Sequence, residues 1–174
     1  MPKKTAGAKT AGAKTAGAPT TAATLALQRA GIAFTAHVYR HDAAATDFGA
    51  EAARELGVDA ARVFKTLLVE TDGGLAVGIV SVIDQLDVKA LAGAMGAKRA
   101  SMADPALAER KTGYVVGGIS PIGQKTRLAT VLDDRALEFG TVFVSGGRRG
   151  FDLELSAADL VTATDARVAR IRRG

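Results

Sequence analysis

Hydrophobic and polar positions alternate with different periods along the chain, and the changes of period mark its elements. From Ala22 to Ala30 the apolar residues recur at helical spacing, and Gly31 ends the run. A short strand through Phe34 and Val38 follows, then a second helix over Phe48–Leu56 with Gly57 as its stop. Val63 to Thr71 reads as a buried strand, Asp72-Gly73-Gly74 as a turn, and Leu75 to Val82 as the returning strand of a hairpin. Val88 to Met95 is helical up to Gly96, and Asp104 caps a short helix over Pro105–Arg110. Further strands are expected near Ala129–Leu132, Thr141–Val144 and Phe151–Leu155. Ser156 caps a helix over Ala157–Val161, and Asp165 opens another that runs into the final arginines. Helices and strands mix without a regular βαβ rhythm, and two or three strand pairs read as antiparallel. The pattern predicts an α+β fold around a mixed, curved sheet.

The pattern leaves out the beginning of the chain. Lys4 to Ala18 is KTAGA written three times, too short for a solenoid and too poor in large apolar residues to bury. Residues 1–19 are therefore expected to be a disordered basic tail, and residues 20–174 a single domain. Four lysines of the tail account for most of the +5 net charge, leaving 19 of the 23 basic residues against 18 acidic ones. A second basic cluster, Arg167, Arg170, Arg172 and Arg173, closes the chain. Either end could attract a polyanion or simply be solvated.

Composition removes several chemistries. The chain has no cysteine, which excludes disulfides, thiolate–metal sites and a cysteine nucleophile. No run approaches the ~18 apolar residues of a membrane span, and the N-terminus lacks the apolar core of a secretory signal. A soluble, cytoplasmic protein is expected. His37 and His41 would lie ~13 Å apart in an extended segment, too far to share one ion, so no metal is assigned. There is no GxSxG elbow for a serine nucleophile.

Two segments invite a phosphate reading. GGISPIGQKTR, from Gly117 to Arg127, resembles a nucleotide loop, but Gln124 separates Gly123 from Lys125 and Pro121 removes a backbone donor. A strand, not a helix, is expected after it. Ser145-Gly146-Gly147-Arg148-Arg149-Gly150 lies between two strands; its glycines allow close backbone approach, and its arginines either hold phosphate or are solvated. Lys65 is more pointed. Strand alternation puts it on one face with Val63, Leu67 and Val69. An ammonium there needs a partner, a wet pocket, or an edge from which to reach solvent.

Several separate motifs, in order, resemble the YbaK/EbsC family of free-standing aminoacyl-tRNA deacylases, relatives of the editing domain inserted in bacterial prolyl-tRNA synthetases. They are HVYRHD (37–42), FGAEAARELG (48–57), VFKTLLV (63–69), QLDVKALAGAMGAKRASMADP (85–105), TGYVVGGISPIGQKTRL (112–128) and VSGGRRGFDLELSAADL (144–160). The resemblance spans about Thr24 to Arg170 and offers no role for the tail. It implies a single domain whose twisted mixed sheet is partly closed, barrel-like, and flanked by helices.

It also implies trans-editing of mischarged Cys-tRNA(Pro), in which the substrate's own thiol attacks its ester and expels the tRNA 3′ end. Lys65, Gly117 and Asp152 match catalytic positions. Tyr39, Phe48, Thr66, Gly118, Ser145 and Gly147 match substrate-binding ones, with backbone N–H groups around Gly117 and Gly118 as oxyanion donors. No cofactor is implied. Aminoacyl-tRNA is the implied partner, with prolyl-tRNA synthetase as a further candidate and neither membrane nor DNA. Two alternatives stand: a non-catalytic tRNA- or partner-binding protein of the same fold, and an editing enzyme for another amino acid, such as Ala-tRNA(Pro). If the tail is an RNA arm, deleting residues 1–18 weakens tRNA binding chiefly at low salt; an unchanged Kd at low salt excludes that role.

Overall fold

The computed structural model describes residues 18–174; the KTAGA repeat and the expected tail lie outside the described residues, apart from Ala18 and Pro19. Helix α1 (Ala22–Ala30) is held at its start by a capping box, in which the Thr21 and Thr24 side chains each satisfy the other's backbone N–H. Helix α2 (Phe48–Leu56) is capped by Asp47, whose carboxylate accepts from the N–H of Ala50. Both helices end on a left-handed glycine, Gly31 and Gly57.

The strands form two sheets. A three-stranded antiparallel sheet has β1 (Thr35–Val38) beside β7 (Phe151–Leu155), and β7 beside β6 (Val142–Arg148). The larger sheet contains β2 (Phe64–Thr71), β3 (Gly74–Ser81), β4 (Ala100–Met102), β5 (Ala129–Asp133) and β8 (Arg167–Ala169), in the order β4-β2-β3-β5-β8. β2 pairs antiparallel with β3 and β4, whereas β3–β5 and β5–β8 are parallel. An isolated bridge between Val63 and Phe143 ties the sheets at one corner. They do not close into a barrel, which corrects the expectation of a partly closed sheet.

The large sheet is covered on both faces, which explains why Leu75 to Ser81 is apolar almost without alternation. One face packs Phe64, Leu68, Val77, Ile79 and Leu132 against β6, β7 and α1 in the main core. The opposite face packs Val69, Val80 and Val131 with Leu86, Leu91 and Ile171, beneath α3 (Val88–Ala94). Helix α2 places Ala52 and Ala53 against Val63 and Phe143. Helix α4 (Pro105–Thr112) starts on the Asp104 cap, as expected, and α5 (Ala157–Thr164) on Ser156. Among the described residues no helix is long and apolar enough to cross a membrane.

The C-terminus departs from the expected helix. Asp165 takes a left-handed conformation (φ 52°) and closes α5, and Arg167–Ala169 adds a parallel strand to β5. Backbone pairing overrides local helical preference there, and a buried carboxylate locks the result. Asp133, at 0% exposure, accepts from the N–H groups of Arg135, Ile171 and Arg172 and from the Arg172 guanidinium at 2.6 Å. Arg172 also contacts Asp134, so this arginine of the basic cluster is neutralised within the fold. Strand β4 was not expected either, because three residues carry no legible period.

Removing Asp133 leaves the N–H groups of Arg135, Ile171 and Arg172 without their acceptor and takes from the Arg172 guanidinium one of its two carboxylates. Asp133→Ala is therefore expected to lower the unfolding free energy by about 3–5 kcal/mol, read from urea denaturation.

Candidate active site

Strand β2 is built unevenly. Its C-terminal half is flanked by β3 and by β4, whose register covers only Val69–Thr71, with Ala103 N–H adding a bond to Leu68. Among the described residues, Phe64 to Leu67 have a ladder partner only in β3. Beside this open edge lies a cavity of about 580 Å³, within the range of small-molecule sites. The beginnings of α2 and α4, the loop through Val116 and Gly117, and the β6–β7 pair supply its other walls.

Lys65 lines this cavity. It is half-buried, and among the described residues no carboxylate lies within 4 Å of its ammonium. Next to it, the Thr66 hydroxyl is buried without a hydrogen-bond partner, an arrangement that costs about 1–3 kcal/mol unless a ligand or water completes it. Asp152, also lining the cavity, is only 5% exposed. It sits mid-sheet opposite Ser145 in β6 and His37 in β1. Burial alone pushes its carboxyl up to about 7, so no cation offsets it. Tyr39 shares the cavity, and desolvation, followed by the nearby Asp152 charge, raises its phenol further above the ordinary range. Tyr39 therefore stays a proton donor at neutral pH.

The mouth of the cavity is clamped. Val116 donates its N–H to the Glu109 carboxylate of α4 at 2.9 Å. Its carbonyl accepts from Nε and Nη2 of Arg149 at 3.1 and 2.7 Å. The same guanidinium lies 4.7 Å over the Phe48 ring. Gly117 fits between them because it has φ 86° and no Cβ; a Cβ would stand 2.6 Å from Arg149 Nε and 3.0 Å from the Phe48 ring.

The structure thus places Tyr39, Phe48, Lys65, Thr66, Gly117, Ser145 and Asp152 around one cavity. Gly118 and Gly147 do not line it. The Gly118 N–H closes a turn onto the Val115 carbonyl at 2.9 Å, so it is not free to receive an oxyanion, and its Cα hydrogen faces the Arg148 backbone. Gly147 packs against Tyr114 and Thr21 in the bulge of β6, and donates its N–H to Ser145 Oγ at 3.2 Å. His37 and His41 bond separate carboxylates, Glu154 and Glu51. Sequence reasoning missed Glu109 and the clamping role of Arg149, because both bind the backbone of Val116, which carries no side-chain signal of either contact and lies 33 residues from Arg149.

The chain is similar to known proteins in sequence and in fold. Residues 42–163 match the model of the aminoacyl-tRNA editing domain, and the chain belongs to that family. Among its curated relatives is the "Putative Cys-tRNA(Pro)/Cys-tRNA(Cys) deacylase EbsC" of Enterococcus faecalis, 37% identical over 120 residues, which are 68% of this chain and 73% of that protein. YwhH of Bacillus subtilis, named as uncharacterized, is 32% identical over 111 residues, 63% of this chain and 70% of its own length. A crystal structure of "a putative trans-editing enzyme for prolyl tRNA synthetase" superposes with a TM-score of 0.79 at 25% identity, covering 90% of this chain and 99% of that one.

The raised carboxyl of Asp152 makes stability depend on pH. Between about pH 4 and 7 the folded chain keeps a proton that the unfolded chain has lost, so stability falls as pH rises through that window. Asp152→Asn is expected to flatten this dependence and to raise the urea midpoint at pH 8 relative to wild type, with little change at pH 4.

Proposed function

We propose that the protein is a trans-editing deacylase that clears Cys-tRNA(Pro), and that the ester is cleaved in the cavity beside Lys65. The observation that carries this reading is an unpaired ammonium and a buried carboxyl lining one cavity without neutralising each other. That arrangement suits a ligand that brings its own polar groups between them. Membership of the editing-domain family and the name borne by the Enterococcus relative support the substrate class.

The chain supplies no cysteine, and the nucleophile in this reading belongs to the substrate. The cysteinyl thiol loses its proton and forms a C–S bond to its own carbonyl carbon. The carbonyl C–O bond to the terminal ribose then breaks, and the ribose oxygen takes up a proton. Because nucleophile and electrophile are already tethered, orientation supplies much of the rate. Lys65 stabilises the negative charge that develops on the carbonyl oxygen. A lysine does this while protonated, which favours it as an electrostatic group over a general base. In this reading Asp152, whose carboxyl burial raises to about 7, gives the departing ribose its proton while in its protonated form. The Thr66 hydroxyl and the Tyr39 phenol offer fixed polar contacts, and Phe48 and Gly117 shape the wall. The N–H of Gly117 remains as a backbone donor, without Gly118.

Catalytic amounts of protein are expected to release free tRNA from many equivalents of Cys-tRNA(Pro). Lys65→Ala should lower that rate by at least a hundredfold, on the order of the loss of one oxyanion-stabilising group, with an unchanged circular dichroism spectrum. Running Ala-, Ser- and Pro-charged tRNA(Pro) beside the cysteinyl substrate tests the specificity. Full activity of the lysine variant removes Lys65 from the mechanism, and preference for the alanyl substrate removes the thiol step.

A further inference from the structure

A second cavity of about 710 Å³ opens at the far end of β2, lined by Lys89, Lys98, Arg99, Glu70, Asp72 and Ser101 among others. Its acids do not cancel its cations pairwise. The Asp72 carboxylate is turned to the backbone, where it accepts the N–H groups of Lys98 and Arg99 at 2.9 and 3.0 Å. These bonds hold its carboxyl below the ordinary range. Among the described residues no carboxylate lies within 4 Å of the side-chain nitrogens of Lys89, Lys98 or Arg99. Other basic residues are engaged inside the fold: Arg172 by Asp133 and Asp134, Arg135 by Asp84. Asp72 thus fixes the backbone that carries two cations and leaves their charge outward.

The cleft adjoins the active-site cavity along β4. Met102 of β4 lines the cavity, and its neighbours Ser101 and Ala100 line the cleft. Strand β4 is the edge of the large sheet, and its residues Ser101 and Met102 are exposed. From Lys65 to Thr71 is six residues along β2, or ~20 Å. A single nucleoside bound at Lys65 does not span that distance, but the backbone of the nucleotides preceding it does.

We propose that the RNA leaves the active-site cavity along β4 and that Lys98 and Arg99, with Lys89 beside them, receive its backbone phosphates in this cleft. The proposal rests on the reading of the cavity as the site of a charged tRNA end. Contacts of this kind set the position of the RNA without reading its sequence. They also add affinity that falls with salt.

The test is a Lys98→Glu/Arg99→Glu double variant, compared with wild type on two substrates and in one binding assay. On full-length Cys-tRNA(Pro), kcat/KM at low salt is expected to fall about tenfold or more, as befits phosphate contacts replaced by repulsion. The cysteinyl ester of adenosine, which has no phosphate, should be cleaved at the wild-type rate. Fluorescence anisotropy with uncharged tRNA(Pro) should give a log Kd against log salt slope smaller by about 1.4, at ~0.7 for each single-strand phosphate lost.

An equal loss on both substrates overturns the proposal, because the double variant would then disturb the cavity itself. Unchanged tRNA cleavage and binding overturn it as well, as does a loss produced by Arg148→Glu and not by the double variant, which would route the RNA over the β6–β7 loop. The binding assay needs no chemistry. A Lys65→Ala protein that still cleaves the ester therefore counts against the reading of the cavity, and a salt slope unchanged in the double variant counts against the cleft.

Discussion

Everything at the candidate site depends on how far β4 runs. An additional stretch of strand beyond Met102 would pair with Phe64–Leu67 and fill the edge that now faces the cavity. Helix α4 prevents this, because Asp104 caps a helical turn through the N–H of Leu107 and Pro105 lacks the N–H that a ladder requires. The same short strand that opens the cavity on one side leads into the cationic cleft on the other. An edge that would elsewhere invite aggregation is here walled in by α2, α4 and the β6–β7 pair.

Within the cavity the decisive feature is separation. A lysine and a carboxylic acid in contact would form an ion pair and lower the carboxyl's proton affinity. Here the carboxyl is raised by burial alone, and among the described residues the ammonium has no carboxylate within 4 Å. Both groups keep their bonding capacity for something else. The buried, unsatisfied hydroxyl of Thr66 belongs to the same pattern, since sites that bind polar ligands hold groups that the empty protein leaves incomplete.

Much of the local structure could be read from the residues. The caps Asp104 and Ser156, the stop glycines Gly31 and Gly57, and the β2–β3 hairpin all follow from short-range chemistry. The apolar strand around Lys65 calls for a partner, a wet pocket or an edge, and the ammonium lies at a cavity beside an open strand edge. What could not be read depends on groups far apart in the chain. Arg149 reads as either a phosphate holder or solvated charge, whereas it binds the carbonyl of Val116 and lies over Phe48. Gly118 and Gly147 looked like ligand-facing glycines, but the first needs its N–H for a turn and the second makes room for Tyr114. Asp165 and the arginines after it read as a helix because the pull of β5 and Asp133 is invisible locally.

The clamp on Val116 has a mechanical consequence. One peptide segment is gripped at its N–H by α4 and at its carbonyl by the β6–β7 loop, while Arg149 rests on α2. Three elements distant in sequence are therefore fastened at a single point of the rim. The aperture cannot widen there by the swing of one flap; any displacement of Val116 breaks charge-assisted bonds on both its sides. The entrance behaves as a drawn purse-string, and its diameter is a property of the whole domain.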